Sequence, residues 1–97
     1  MDLKKVTFDK KLECLVDENG VKYDGKRFTL VSAYSDLGGF PSRESAVHDA
    51  LYNLETEALK AGAEAYEVTS LNEHDTRQEY DSAPYTASVS AMLYKRA

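Results

Sequence analysis

Ser42-Arg43-Glu44-Ser45-Ala46-Val47-His48-Asp49-Ala50-Leu51-Tyr52-Asn53-Leu54-Glu55-Thr56-Glu57-Ala58-Leu59-Lys60-Ala61-Gly62 is the stretch on which the fold turns. From Arg43 to Ala61 the apolar residues Val47, Ala50, Leu51, Leu54, Ala58 and Ala61 recur at intervals of three and four, while Glu44, Asp49, Glu55, Glu57 and Lys60 fall mostly outside that stripe. This is the pattern of an amphipathic helix with one face against a core. The Ser42 hydroxyl is placed to accept from the free amides of the first turn, and Glu44 complements the positive end of the helix dipole. Gly62 supplies the left-handed stop.

On either side of this helix the period changes from about 3.6 to two. Upstream, Val6 and Phe8 alternate with Thr7 and Asp9, and Leu12, Cys14 and Val16 alternate with Glu13, Leu15 and Asp17. Asn19-Gly20 predicts a type I′ hairpin turn, so Leu12 to Glu18 and Val21 to Tyr23 are expected to pair antiparallel. After Asp24-Gly25, a second turn or bulge, Arg27 to Ser35 forms the longest clean strand. Phe28, Leu30, Ser32 and Tyr34 lie on one side of it and Thr29, Val31 and Ala33 on the other; apolar groups on both sides predict a central position. Asp36-Leu37-Gly38-Gly39-Phe40-Pro41 breaks this strand before the helix. Downstream, Glu64 to Leu71 reads as a strand and Asn72 to Pro84 as a polar excursion. The last strand, Tyr85 to Tyr94, sets Tyr85, Ala87, Val89, Ala91 and Leu93 against Thr86, Ser88, Ser90, Met92 and Tyr94.

The expected fold class is therefore α+β: one domain over residues 1–97, in the order β-β-β-α-β-β. A single antiparallel or mixed sheet of about five strands carries the one long helix on one face. The other face is either polar and wet or packs on a second copy or a partner.

Residues 54–94 resemble a recurrent small β-α-β-β pattern: a helix ending Glu57-Ala58-Leu59-Lys60-Ala61-Gly62-Ala63, a strand Glu64-Ala65-Tyr66-Glu67-Val68-Thr69-Ser70, and a terminal strand of small residues closing on Leu93-Tyr94-Lys95. The pattern is similar to the small stress and biofilm proteins of the BhsA and McbA type. It is also similar to the dodecin-like and YbjQ-like small oligomeric proteins, whose sheets assemble into rings or shells. The resemblance implies a small domain that assembles; the chain has no Trp of the kind dodecins stack on flavin.

Composition limits the functions. The 97 residues carry 12 Lys and Arg against 17 Asp and Glu, a net charge of −5. Residues 36–81 hold three basic and eleven acidic side chains, the reverse of the basic stripe that phosphates require, which argues against nucleic acid and anionic membranes as partners. No run of 18 apolar residues and no signal-like start is present, and the single Cys14 forms no internal disulfide, so the expectation is a cytoplasmic protein.

Chemistry-bearing motifs are sparse. There is no nucleophile elbow, phosphate loop or dinucleotide fingerprint, and an enzyme is not expected. Cys14 reads as a small core residue. Glu44 and His48, one helical turn apart with Glu55 on the same side, are candidate metal ligands, as are Glu73, His74, Asp75, Glu79 and Asp81, within nine residues; neither group has the spacing of a zinc or calcium motif, and no cofactor is expected. Seven Tyr with no Trp is the compositional oddity. Tyr34, Tyr66, Met92 and Tyr94 are the candidate interface or ligand residues, since strand tyrosines line half-wet sheet faces and interfaces. The functional expectation is a non-enzymatic module that forms a homo-oligomer or binds a protein partner through the sheet face the helix leaves open. The alternative is a carrier or sensor of a small ligand, flavin-like or metal, at an oligomer interface.

Overall fold

The computed structural model describes residues 3–36, 38–75 and 83–96. The described elements are β1 (Lys4–Lys5), β2 (Thr7–Asp9), β3 (Cys14–Val16), β4 (Lys22–Tyr23), β5 (Lys26–Tyr34), α1 (Arg43–Lys60), β6 (Ala65–Asp75) and β7 (Tyr85–Lys95). The α+β class stands, but the strands divide into two sheets rather than one: four strands in the order β1-β6-β7-β5 and three in the order β2-β3-β4. The chain crosses from the first sheet to the second at Val6, which is fully buried, so one extended segment supplies a strand to each. β1 runs parallel to β6, whereas β6 and β5 both pair antiparallel with β7.

Ser42 caps α1 as its sequence predicts, its hydroxyl accepting from the Ser45 amide at 3.1 Å. At the other end Gly62 adopts φ +83°; its amide donates to Leu59 and the Ala63 amide donates to Ala58, which closes the last turn in the Schellman pattern. The buried stripe is Ala46, Ala50, Leu54 and Ala58, and it packs on Ala87, Val89, Ala91 and Leu93 of β7. Alanine on both sides lets the helix lie close to the sheet.

Four local expectations are corrected. β5 is an edge strand, not a central one: β7, whose alternate residues are buried along its length, takes the centre. The hairpin between β3 and β4 keeps its antiparallel pairing but has a three-residue loop. Only Gly20 is left-handed, at φ +78°, and the Asp17 carboxylate gathers the amides of Asn19 and Val21. In β3 it is Leu15 that packs inward, against Val6, Tyr23, Ala65 and Tyr94; Leu12 is exposed and Cys14 half-buried, because the chain turns at residues 10–13 with Glu13 at φ +55°. β6 also runs on to Asp75 through what reads as a polar excursion.

Candidate functional site

Strand alternation in β7 assigns the two faces of the larger sheet. Ala87, Val89, Ala91 and Leu93 lie under α1, so Thr86, Ser88, Ser90, Met92 and Tyr94 lie on the face without the helix. The registers of β5 and β6 extend this face into rows: Leu30–Met92–Glu67, Ser32–Ser90–Ser70 and Tyr34–Ser88–Asn72, with Thr86–His74 beyond them. Bulges at Phe28 and Thr69 keep the rows aligned along the twisted strands.

The three-stranded sheet covers one end of this face. Val6, Tyr23 and Leu15 pack on Ala65, Met92 and Tyr94, with the rings of Tyr23 and Tyr94 edge to face at 6.2 Å. The remainder is a floor of hydroxyls, on which Ser32 and Ser90 share a hydrogen bond of 2.8 Å and the Thr69 hydroxyl donates to the Ser90 carbonyl. Leu30, 57% exposed, and Tyr34, 66% exposed, stand along its β5 margin. Asn72 and His74 are exposed on the β6 side. Small polar side chains flanked by an exposed aliphatic and an exposed aromatic residue can hydrogen-bond and desolvate against another protein surface.

The four candidate contact residues do not come together. Tyr34 is on the open face. Tyr66 is not: it faces α1, is 4% exposed, and donates its hydroxyl to Glu55 at 3.0 Å. Tyr94, 8% exposed, lies beneath the small sheet and donates to Glu67 at 2.9 Å, and Met92 is half-buried beside it. Burial and the Glu55 carboxylate push the Tyr66 hydroxyl well above the usual tyrosine range; burial and Glu67 do the same to Tyr94, and burial and Glu64 raise Tyr23. Each shift follows first from burial, with a neighbouring carboxylate adding to it.

Glu44 and His48 line a shallow, open depression of about 560 Å³ on α1 with Phe40, Ser42, Ser45, Asp49 and Tyr52. Glu55 is engaged by Tyr66. His74 and Asp75, successive residues of β6, project to opposite faces and so do not share a site. Among the described residues no three His, Cys, Asp or Glu side chains converge as metal ligands; Glu79 and Asp81 lie outside them.

Sequence reasoning missed Leu30 as a surface residue and the serine floor as a feature. The signal was present: Thr86, Ser88 and Ser90 alternate with Ala87, Val89 and Ala91, which marks one polar and one buried face. The fold and site define an α+β domain with one helix-covered sheet face and one face only partly roofed. No family model matches the chain, and no curated protein or solved structure shows significant similarity to it. No helix among the described residues is long and apolar enough to cross a membrane.

Proposed function

We propose that this chain is a non-enzymatic binding module that self-associates or engages a protein partner through the uncovered part of the larger sheet. The observation that supports this reading is the margin formed by Leu30 and Tyr34, two large exposed side chains on the same face to either side of Ser32, beside hydroxyls that bond within the sheet. A cytoplasmic setting, in which Cys14 stays a free thiol, belongs to the same reading.

Native mass spectrometry on protein purified without added cofactors tests it. The expected result is a discrete oligomer, or a monomer that captures a defined protein partner and loses it on Tyr34→Ala substitution. A monomer that carries a retained small molecule or metal overturns this reading in favour of a ligand carrier.

A further inference from the structure

The β5 margin is also a sheet edge, and its backbone polarity is fixed by bonds on both sides. The Ser35 amide donates to the Ala87 carbonyl, and the Ala87 amide returns to the Ser35 hydroxyl, so the odd-numbered residues of the regular segment turn their backbone groups towards β7. The even-numbered ones turn away: the Tyr34 carbonyl is met by Asn53 Nδ2 at 2.8 Å and the Asp36 amide by Asp49 Oδ2 at 2.8 Å, both from α1. Leu30 and Ser32 therefore present their amides and carbonyls to the open edge, together with the Tyr34 amide.

Protein edges are normally blunted by charge, proline or a covering element. The opposite edge follows that rule, with β1 pairing the start of β6 and Glu67, Glu73 and Asp75 spread along it. From Phe28 to Ser35, by contrast, the β5 edge holds no charge, no proline and no glycine.

Resting on the reading above, we infer that the occupant of this edge is a second copy of the chain, paired antiparallel β5 to β5 about a two-fold axis at Ser32. That register is self-complementary. Ser32 faces its own counterpart through two backbone bonds, and Leu30 faces Tyr34 of the other copy, so the two exposed large residues of the open face cover each other. Because Phe28 is the extra residue of a bulge, Arg27 moves up one position and comes opposite Asp36 of the other copy on the same face. Two such pairs of opposite charge close the two ends of the ladder. The product is one continuous eight-stranded sheet, twice the four observed, with both helices on the same side. At the usual strand spacing the helices, each over β5 and β7, lie about 10 Å apart, which is contact distance.

Sedimentation velocity on the full chain and three sets of variants tests this, with circular dichroism reporting the fold of each. The wild type is expected at twice the 10.8 kDa chain mass. Ser32→Pro removes an edge-facing amide and leaves the backbone bonds to β7 in place, giving up only the Ser32–Ser90 hydroxyl bond, and should yield a folded monomer. Arg27→Glu should weaken the dimer about tenfold or more, and adding Asp36→Arg should restore most of the loss. Ser88→Arg, in the middle of the open face and away from the edge, should leave the dimer intact. A dimer lost with Ser88→Arg but kept with Ser32→Pro overturns edge pairing and leaves face-to-face association standing. A dimer indifferent to all of them, or a charge reversal without rescue, overturns the Ser32 register. A wild-type monomer at about 100 μM, well above the micromolar range of weak specific complexes, overturns the homodimer and leaves only a different protein as partner.

Discussion

The Tyr66 hydroxyl donates to Glu55 Oε1 at 3.0 Å, bridging β6 to the flank of α1 from a ring that is almost wholly buried. This bond holds the helix on the sheet at the side opposite Asn53 and Tyr34. It also makes the tyrosine hard to ionise, because burial and the adjacent carboxylate both disfavour a phenolate. The unfolded chain ionises Tyr66 near the ordinary value of 10.0 and the folded chain only well above it. The contribution is therefore fully present below about pH 10 and lost as pH rises beyond it. Tyr66→Phe should cost about 1 kcal/mol at neutral pH. Urea unfolding measured between pH 7 and 11 should then show a shallower alkaline decline in the variant than in the wild type; equal slopes would assign that decline elsewhere.

Tyr23 presents the opposite case. Its ring is buried against Tyr94, yet its hydroxyl has no hydrogen-bond partner among the described residues. Removing an unsatisfied buried hydroxyl relieves a desolvation cost, so Tyr23→Phe should be neutral or stabilising by up to about 1 kcal/mol. Gly25 sits directly beneath the tip of the same ring, and a Cβ there would collide with it. Gly25→Ala should destabilise by about 1–3 kcal/mol through that overlap. Thermal unfolding of the two single variants separates the effects, and a destabilised Tyr23→Phe would show that the hydroxyl has a partner after all.

The parts of the fold that were legible in the sequence are those set by local chemistry. The Ser42 cap, the three-and-four spacing through Leu54 and the Gly62 stop each act within a few residues, and α1 forms where they place it. The alternation of β7 was equally plain. Sheet partition was not, because a strand does not encode its neighbours: Lys4–Lys5 joins one sheet and Thr7–Asp9 the other across the single residue Val6. The position of β5 was misjudged for a related reason. Phe28, Leu30 and Tyr34 on one side and Val31 and Ala33 on the other look like a strand covered on both faces, and only the strand order puts it at the edge with Leu30 exposed. Tyr66 lies on the helix side because its register sets it opposite Leu93, which is buried under α1, whereas Ala65 lies opposite Tyr94 beneath the small sheet; that register is a long-range pairing the strand's own residues do not encode.

Gly62 gives a prediction that isolates the helix end. Its φ of +83° costs a residue with a side chain about 1–2 kcal/mol, although no atom lies close enough for an added Cβ to clash. Gly62→Ala should lower stability by about that amount, while Gly62→Asn, which tolerates the left-handed region better, should lose less. Chemical denaturation of the pair checks the order. Equal losses would point to a steric cause that the open space around Gly62 does not provide.

The alanine seam between α1 and β7 sets how closely the two layers approach. Ala50 is fully buried on the helix, and Ala91 fully buried on the central strand; both belong to the core that includes Leu54 and Leu93. A larger side chain at position 50 has no void to enter in a close-packed interior, so the helix must lift from the sheet or neighbouring side chains must leave their rotamers. Ala50→Leu should therefore destabilise by about 1–3 kcal/mol despite adding apolar surface. Leu54→Ala, which opens a cavity at the same interface, should cost about 2–5 kcal/mol. The decisive comparison is the double variant Ala50→Leu/Leu54→Ala, one helical turn apart on the buried stripe. If the seam is limited by volume, the added leucine occupies part of the vacated space, and the double variant should be more stable than the sum of the two single losses predicts.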